Sequence, residues 1–180
     1  MRDASRCGLF LTSLVVFAIA SCGQSATSSA SLNSYVAAVE PIRLGVNSLL
    51  NGADPVLNAY REHRLSGQQA ASELGRLEQR FATYTVDINA VQPSDPTLAG
   101  IHAPYAHTFV LEDSYLSALV ATLPAGDFSS LPNTQSDQRA AIIEWRTHIE
   151  VLARALGVRL PGDMQQAGRG EIAPAVLGSS

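Results

Sequence analysis

The chain predicts an all-α fold: an antiparallel up-down four-helix bundle with a long bent first helix. Three observations carry this expectation. Apolar residues recur at 4-3 spacing through four successive segments. No segment sustains the two-residue alternation of a half-buried strand. Gly, Pro and Ser gather in the short links between the segments, where they break helices.

The first stripe is Tyr35, Val39, Ile42, Val46, Leu49, Ala53, Val56 and Tyr60, which predicts a helix over Asn33–Arg64. Pro41 and Pro55 fall within it, and each should remove a hydrogen bond and bend the rod. Two helices broken near Gly52–Pro55 are the alternative. The apolar register passes through both prolines without a phase slip, and both fall opposite the stripe, on the convex side that a curved helix turns to solvent. One long bent helix is therefore preferred. The second stripe, Ala70, Leu74, Leu77, Phe81, Tyr84, Ile88 and Val91, predicts a helix over Gly67–Gln92. Ser66 is its expected N-cap, with Gln69 in capping-box position.

Pro93 and Pro96 separate this helix from the third, Thr97–Leu123, whose stripe is Leu98, Ile101, Tyr105, Phe109, Glu112, Leu116, Leu119 and Leu123. Pro124, Gly126 and Pro132 precede the fourth, Thr134–Leu156, with Ile142, Trp145, Ile149, Leu152 and Leu156. Gly157 and Pro161-Gly162 stop it. Residues 33–160 thus form the bundle. Residues 161–180, poor in large apolar groups, are expected to be a disordered tail.

The N-terminus follows a different logic. Arg2 and Arg6 form a positive start, and Leu9 to Ala20 is an apolar run of about a dozen residues, short of the ~20 that span a bilayer. The run closes on Ile19-Ala20-Ser21-Cys22, which resembles the lipobox of bacterial lipoproteins: an aliphatic residue, two small residues, and a cysteine. Ala18-Ile19-Ala20 would also suit ordinary signal peptidase, leaving a soluble chain that starts at Ser21. The lipobox resemblance implies that residues 1–21 are a removed signal peptide and that Cys22 is the lipidation site. It implies at least two acyl chains, palmitate-like in character, enough for stable anchoring on the extracytoplasmic side of the cell membrane. Residues 22–32 then read as a flexible Ser/Ala-rich tether.

Composition narrows the function classes. Of 180 residues, removal of 21 leaves 159, one domain with a genuine core. The formal charge is −4, and loss of Arg2, Asp3 and Arg6 takes away a net +1 and leaves −5. An acidic surface without a basic patch argues against nucleic acid. The cysteines are Cys7 and Cys22. One leaves with the signal and the other would carry lipid, so stability must come from packing rather than a disulfide.

Glu112 is the side chain with most chemical interest, because its helical angle sets a carboxylate in the middle of an apolar stripe. Such a group must find a partner or become neutral. Hairpin counting puts it level with Trp145 and Leu77, so a bond from the Trp145 indole N–H is expected. A candidate ligand pocket follows, rimmed by Glu112, Tyr105, Tyr84, His102 and Trp145. A structural contact that fixes helix register is the simpler reading.

The histidines, His63, His102, His107 and His148, do not make the Glu-x-x-His pairs of a di-metal bundle. His102 and His107 lie roughly 140° apart on one helix and cannot share an ion. No nucleophile elbow occurs. The expectation is a non-enzymatic, lipid-anchored envelope protein without metal or cofactor. Its bundle would be an interaction or structural module for an unknown protein partner. A small-molecule or metal-binding lipoprotein with a site around Glu112 is the alternative.

Overall fold

The computed structural model describes residues 26–165 and residue 172. The expected signal segment and Cys22 lie outside the described residues. The element order is α1 (Ser29–Asn51), α2 (Ala53–Arg61), α3 (Gly67–Ala90), α4 (Pro96–Thr122), α5 (Gln135–Leu156) and a 3-10 turn at Gly162–Gln165. Among the described residues there is no strand.

The expected first helix is α1 and α2 together. Gly52 alone separates them and keeps right-handed helical angles (φ −71, ψ −18), so the two run on as one rod bent by 19°. Pro41 and Pro55 are both on the exposed side, as their phase requires. Pro55 also falls in the first turn of α2, where its missing N–H has no intrahelical acceptor to lose. Pro104 lies inside α4, again on the exposed side.

Local chemistry sets the ends. Ser66 and Gln69 form a reciprocal capping box: Ser66 N–H donates to Gln69 Oε1 (2.9 Å) and Gln69 N–H donates to Ser66 Oγ (3.3 Å). Asp95 caps α4 by accepting from the N–H groups of Thr97 and Leu98 at 2.9 and 3.1 Å, with Pro96 at the first helical position. Gly157 ends α5 in the left-handed region (φ 64).

The helices alternate in direction. α4 packs chiefly on α3 and α5, and α1 packs on α3. The core is built from Leu32, Val39, Val46, Leu74, Phe81, Ile88, Phe109, Leu116, Leu119, Ile142 and Ile149, all buried. Phe81 stacks on Phe109 across the α3–α4 seam (5.9 Å between centroids).

Two expected boundaries are corrected. The tether does not reach residue 32, because Ser28 caps α1 and accepts from Ser31 N–H (3.0 Å). Thr27 is buried and donates to Asp95 Oδ1 (3.0 Å). The tail is not free of structure throughout: Met164 and Ile172 are buried in the core cluster with Leu160. They are isolated large apolar residues without helical spacing, which is why periodicity does not find them.

Candidate functional site

The interior holds two polar layers, and each begins with a polar residue on an apolar stripe. Along α4 and its C-cap the buried series is Leu98, His102, Tyr105, Phe109, Glu112, Leu116, Leu119 and Leu123. His102, not the half-buried Ile101, takes the inward position.

The first layer joins α1, α4, α5 and the end of α3. His102 Nε2 lies 3.1 Å from the carbonyl of Ile88. A carbonyl only accepts, so Nε2 carries the proton, and Nδ1 of the neutral ring is an acceptor. Tyr35 Oη, 3.0 Å from Nδ1, must therefore donate to it. Tyr35 in turn accepts from Trp145 Nε1–H at 2.8 Å. The result is a directional chain, Trp145 to Tyr35 to His102 to Ile88, in which each named hydrogen-bonding group has a partner. The Tyr35 and Trp145 side chains are nearly inaccessible, at 4% and 2% exposure. Tyr105 supports the layer by stacking its ring on Trp145, 4.1 Å between centroids at 12°.

Burial sets the acid–base behaviour here. It lowers the His102 pKa below the usual histidine value, outweighing the bond to the Ile88 carbonyl. It pushes the Tyr35 phenol far above its usual range, although the Trp145 bond favours the phenolate. Both side chains are neutral at pH 7. Both ring nitrogens of His102 are engaged, so neither is a base facing solvent.

The second layer contains Glu112, which is fully buried. The amide of Gln138, oriented by this network, donates to Glu112 Oε2 (2.9 Å), while its oxygen accepts from Glu112 N–H and Thr134 Oγ1 (both 3.1 Å). Arg43 is buried as well and grips Glu40 through Nε and Nη2 (3.0 and 2.9 Å). Tyr35 meets His102 on the parallel helices α1 and α4. Arg43 and Glu112 lie about 12 and 15 Å further along those helices. Both therefore sit at a similar height in the bundle interior.

The expected bond between Trp145 and Glu112 is not formed. Trp145 lies level with Tyr105, and Gln138, two turns earlier in α5, lies level with Glu112. Simple hairpin counting assumes a symmetric link. Here Leu123 is buried, Phe128 packs edge-on against Tyr60 of α2 (6.2 Å) and Leu131 lies against the core. The link runs back along the bundle and delays the start of α5 by two turns. Level counting between α3 and α4 does hold, since Phe109 meets Phe81 and His102 meets Ile88.

Tyr84 does not join the expected pocket. Its hydroxyl end lies against Gly45 of α1, where a Cβ would come within 2.4 Å of it. Glu112, Tyr105, His102 and Trp145 are packed in the core, in two layers, rather than around a common opening. An open cavity of about 440 Å³ lies above the first layer, between the start of α1 and the α3–α4 link, and is lined by Ala30, Ser34, Tyr35, Pro93, Asp95 and Leu98 among others. Among the described residues no three His, Cys, Asp or Glu side chains gather to hold a metal ion. No described helix is long and apolar enough to cross a membrane.

Arg43 and Gln138 are members of the site that stripe counting missed. A signal for each exists in the chain. Leu32, Val36, Val39, Arg43, Val46, Leu50, Ala53 and Leu57 form a second 4-3 series in the first helix, broken only by Arg43. Gln138 extends the fourth stripe by one step before Ile142.

No family matches this chain, and comparison with curated proteins and with solved structures found no significant similarity.

Proposed function

We propose that this protein is a lipid-anchored envelope protein whose helical bundle is a non-enzymatic interaction module on the outer face of a bacterial membrane. The sequence Ile19-Ala20-Ser21-Cys22, at the edge of an apolar run, supports the anchor. The observation that carries the non-enzymatic reading is the closed Trp145–Tyr35–His102–Ile88 chain. The histidine and tyrosine with most catalytic potential are buried and bonded to each other, and they tie three helices and the end of α3 together. Glu112, bonded to Gln138, plays the same part in the second layer.

The experiment is expression of wild type and Cys22→Ala in a bacterial host fed labelled fatty acid. Wild type should incorporate label and sediment with membranes, and the variant should do neither. Label in the variant, or a wild type confined to the soluble fraction, would overturn the anchor. Native mass spectrometry of the purified protein should give the mass of chain and lipid alone. A further bound molecule that Glu112→Leu removes would replace the interaction module with a ligand carrier.

A further inference from the structure

We infer that the domain docks end-on against the phospholipid surface, through the end of the bundle formed by the Val91–Asp95 link and the adjoining turns of α1, α3 and α4. This rests on the lipid-anchor reading, since it needs the chain held at Cys22.

The first argument is where the chain enters. Thr27 is buried, and its hydroxyl is bonded to Asp95, the N-cap of α4. Thr27 is five positions on from Cys22, a reach of at most ~18 Å when fully extended. The bilayer is thus held near one end of a bundle whose longest helix, α4, measures about 40 Å.

The second argument is charge. No Asp, Glu, Lys or Arg occurs from Cys22 through Val39, nor from Pro96 through Leu111. In the last turns of α3 and the link, from Phe81 to Asp95, the charged residues are Asp87 and Asp95. Asp95 already accepts from Thr27 and from two backbone N–H groups. Val86 is 69% exposed on this same end. Only α5 brings further charge over this span, with Glu144, Arg146, the Glu150–Arg154 pair and Arg159, so the charge-poor surface of this end is that of α1, α3 and α4. The opposite end carries Arg61, Glu62, Arg64, Glu73, Arg76 and Asp127.

Contact with lipid strips water from whatever it covers, and covering a full charge costs far more than covering Ser, Ala, Pro or Val. The charge-poor end therefore docks with the smaller desolvation penalty, and a short tether keeps it at high effective concentration. The charged end is left pointing outward, toward a protein partner.

The test uses the full acylated protein, purified from bacterial membranes and reconstituted in phosphatidylcholine vesicles that carry a headgroup nitroxide. Because Cys7 would be removed and Cys22 blocked, a cysteine at Gln92 or Ser94 (near end), or at Ser72 or Ser130 (far end), takes a single fluorophore. Quenching is expected at the near pair and not at the far pair. Adding Val86→Asp to the Ser94 probe should reduce its quenching, because docking and not the tether alone holds it there. Equal quenching at both ends, or quenching at Ser94 that Val86→Asp leaves unchanged, overturns end-on docking while acylation stands. An N-terminal peptide without acyl mass overturns the anchor reading and the docking with it.

Discussion

Replacement of Tyr35 by Phe tests the interior chain most directly. The ring and its packing remain, and one oxygen is lost. That oxygen accepts from Trp145 Nε1–H at 2.8 Å and donates to His102 Nδ1 at 3.0 Å. Trp145 is 2% exposed and His102 6%, so water cannot readily replace it. Leaving a buried polar group unpaired costs about 1–3 kcal/mol, and two such groups set an expected loss of about 2–4 kcal/mol. Against a typical domain stability of about 5–15 kcal/mol, this should move the urea midpoint well outside error. Trp145→Phe removes the donor but leaves the Tyr35–His102 bond, so its hydrogen-bond loss should be smaller, about 1–2 kcal/mol, plus whatever the stacking on Tyr105 contributes. Unfolding followed by far-UV circular dichroism serves all variants, including the one without tryptophan. If Tyr35→Phe falls within ~0.5 kcal/mol of wild type, as an ordinary surface change would, the chain is not a unit and the reasoning fails.

Four further outcomes follow from the same geometry. His102 has a folded pKa below its unfolded value near 6.5, so the unfolded state binds the proton first on acidification. Its contribution is fully present above about pH 6.5 and lost as pH falls toward the folded pKa, at up to ~1.4 kcal/mol per pH unit. Stability measured from pH 7.5 to 5 should show this slope, and His102→Gln should flatten it. Glu112→Leu removes the carboxylate of the second layer. With Gln138 bonded to it, the single change should cost about 1–3 kcal/mol and Glu112→Leu with Gln138→Leu much less, which a double-mutant cycle in urea measures. Gly67→Ala should destabilise despite better helix propensity, because its Cβ would meet the Leu123 carbonyl at 2.1 Å. At Gly100 nothing lies within 4 Å, and Gly100→Ala should raise the urea midpoint by about 0.5–1 kcal/mol equivalent.

The sequence by itself determined the helices and most of their faces and ends, although the start of α1 and the inward His102 fell outside its reading. Periodicity and capping act within one helix, over three or four residues, so Ser66 with Gln69, the outward Pro41 and Pro55, and the inward Glu112 could all be read before any packing was known. Local spacing is silent on how far one helix slides along another. That offset was decided in three dimensions, where the Leu123–Leu131 link packs against α2 and the core and shifts α5 by two turns. The shift moved Trp145 from Glu112 to Tyr35, across 110 positions of chain, and brought Gln138 to Glu112. Arg43 was hidden for a related reason. The first helix carries two overlapping apolar series, and only the neighbours that it packs against select which one faces inward. Directional bonds between buried polar groups then make that selection unique, because a slip of one turn would leave His102, Tyr35 and Trp145 without partners.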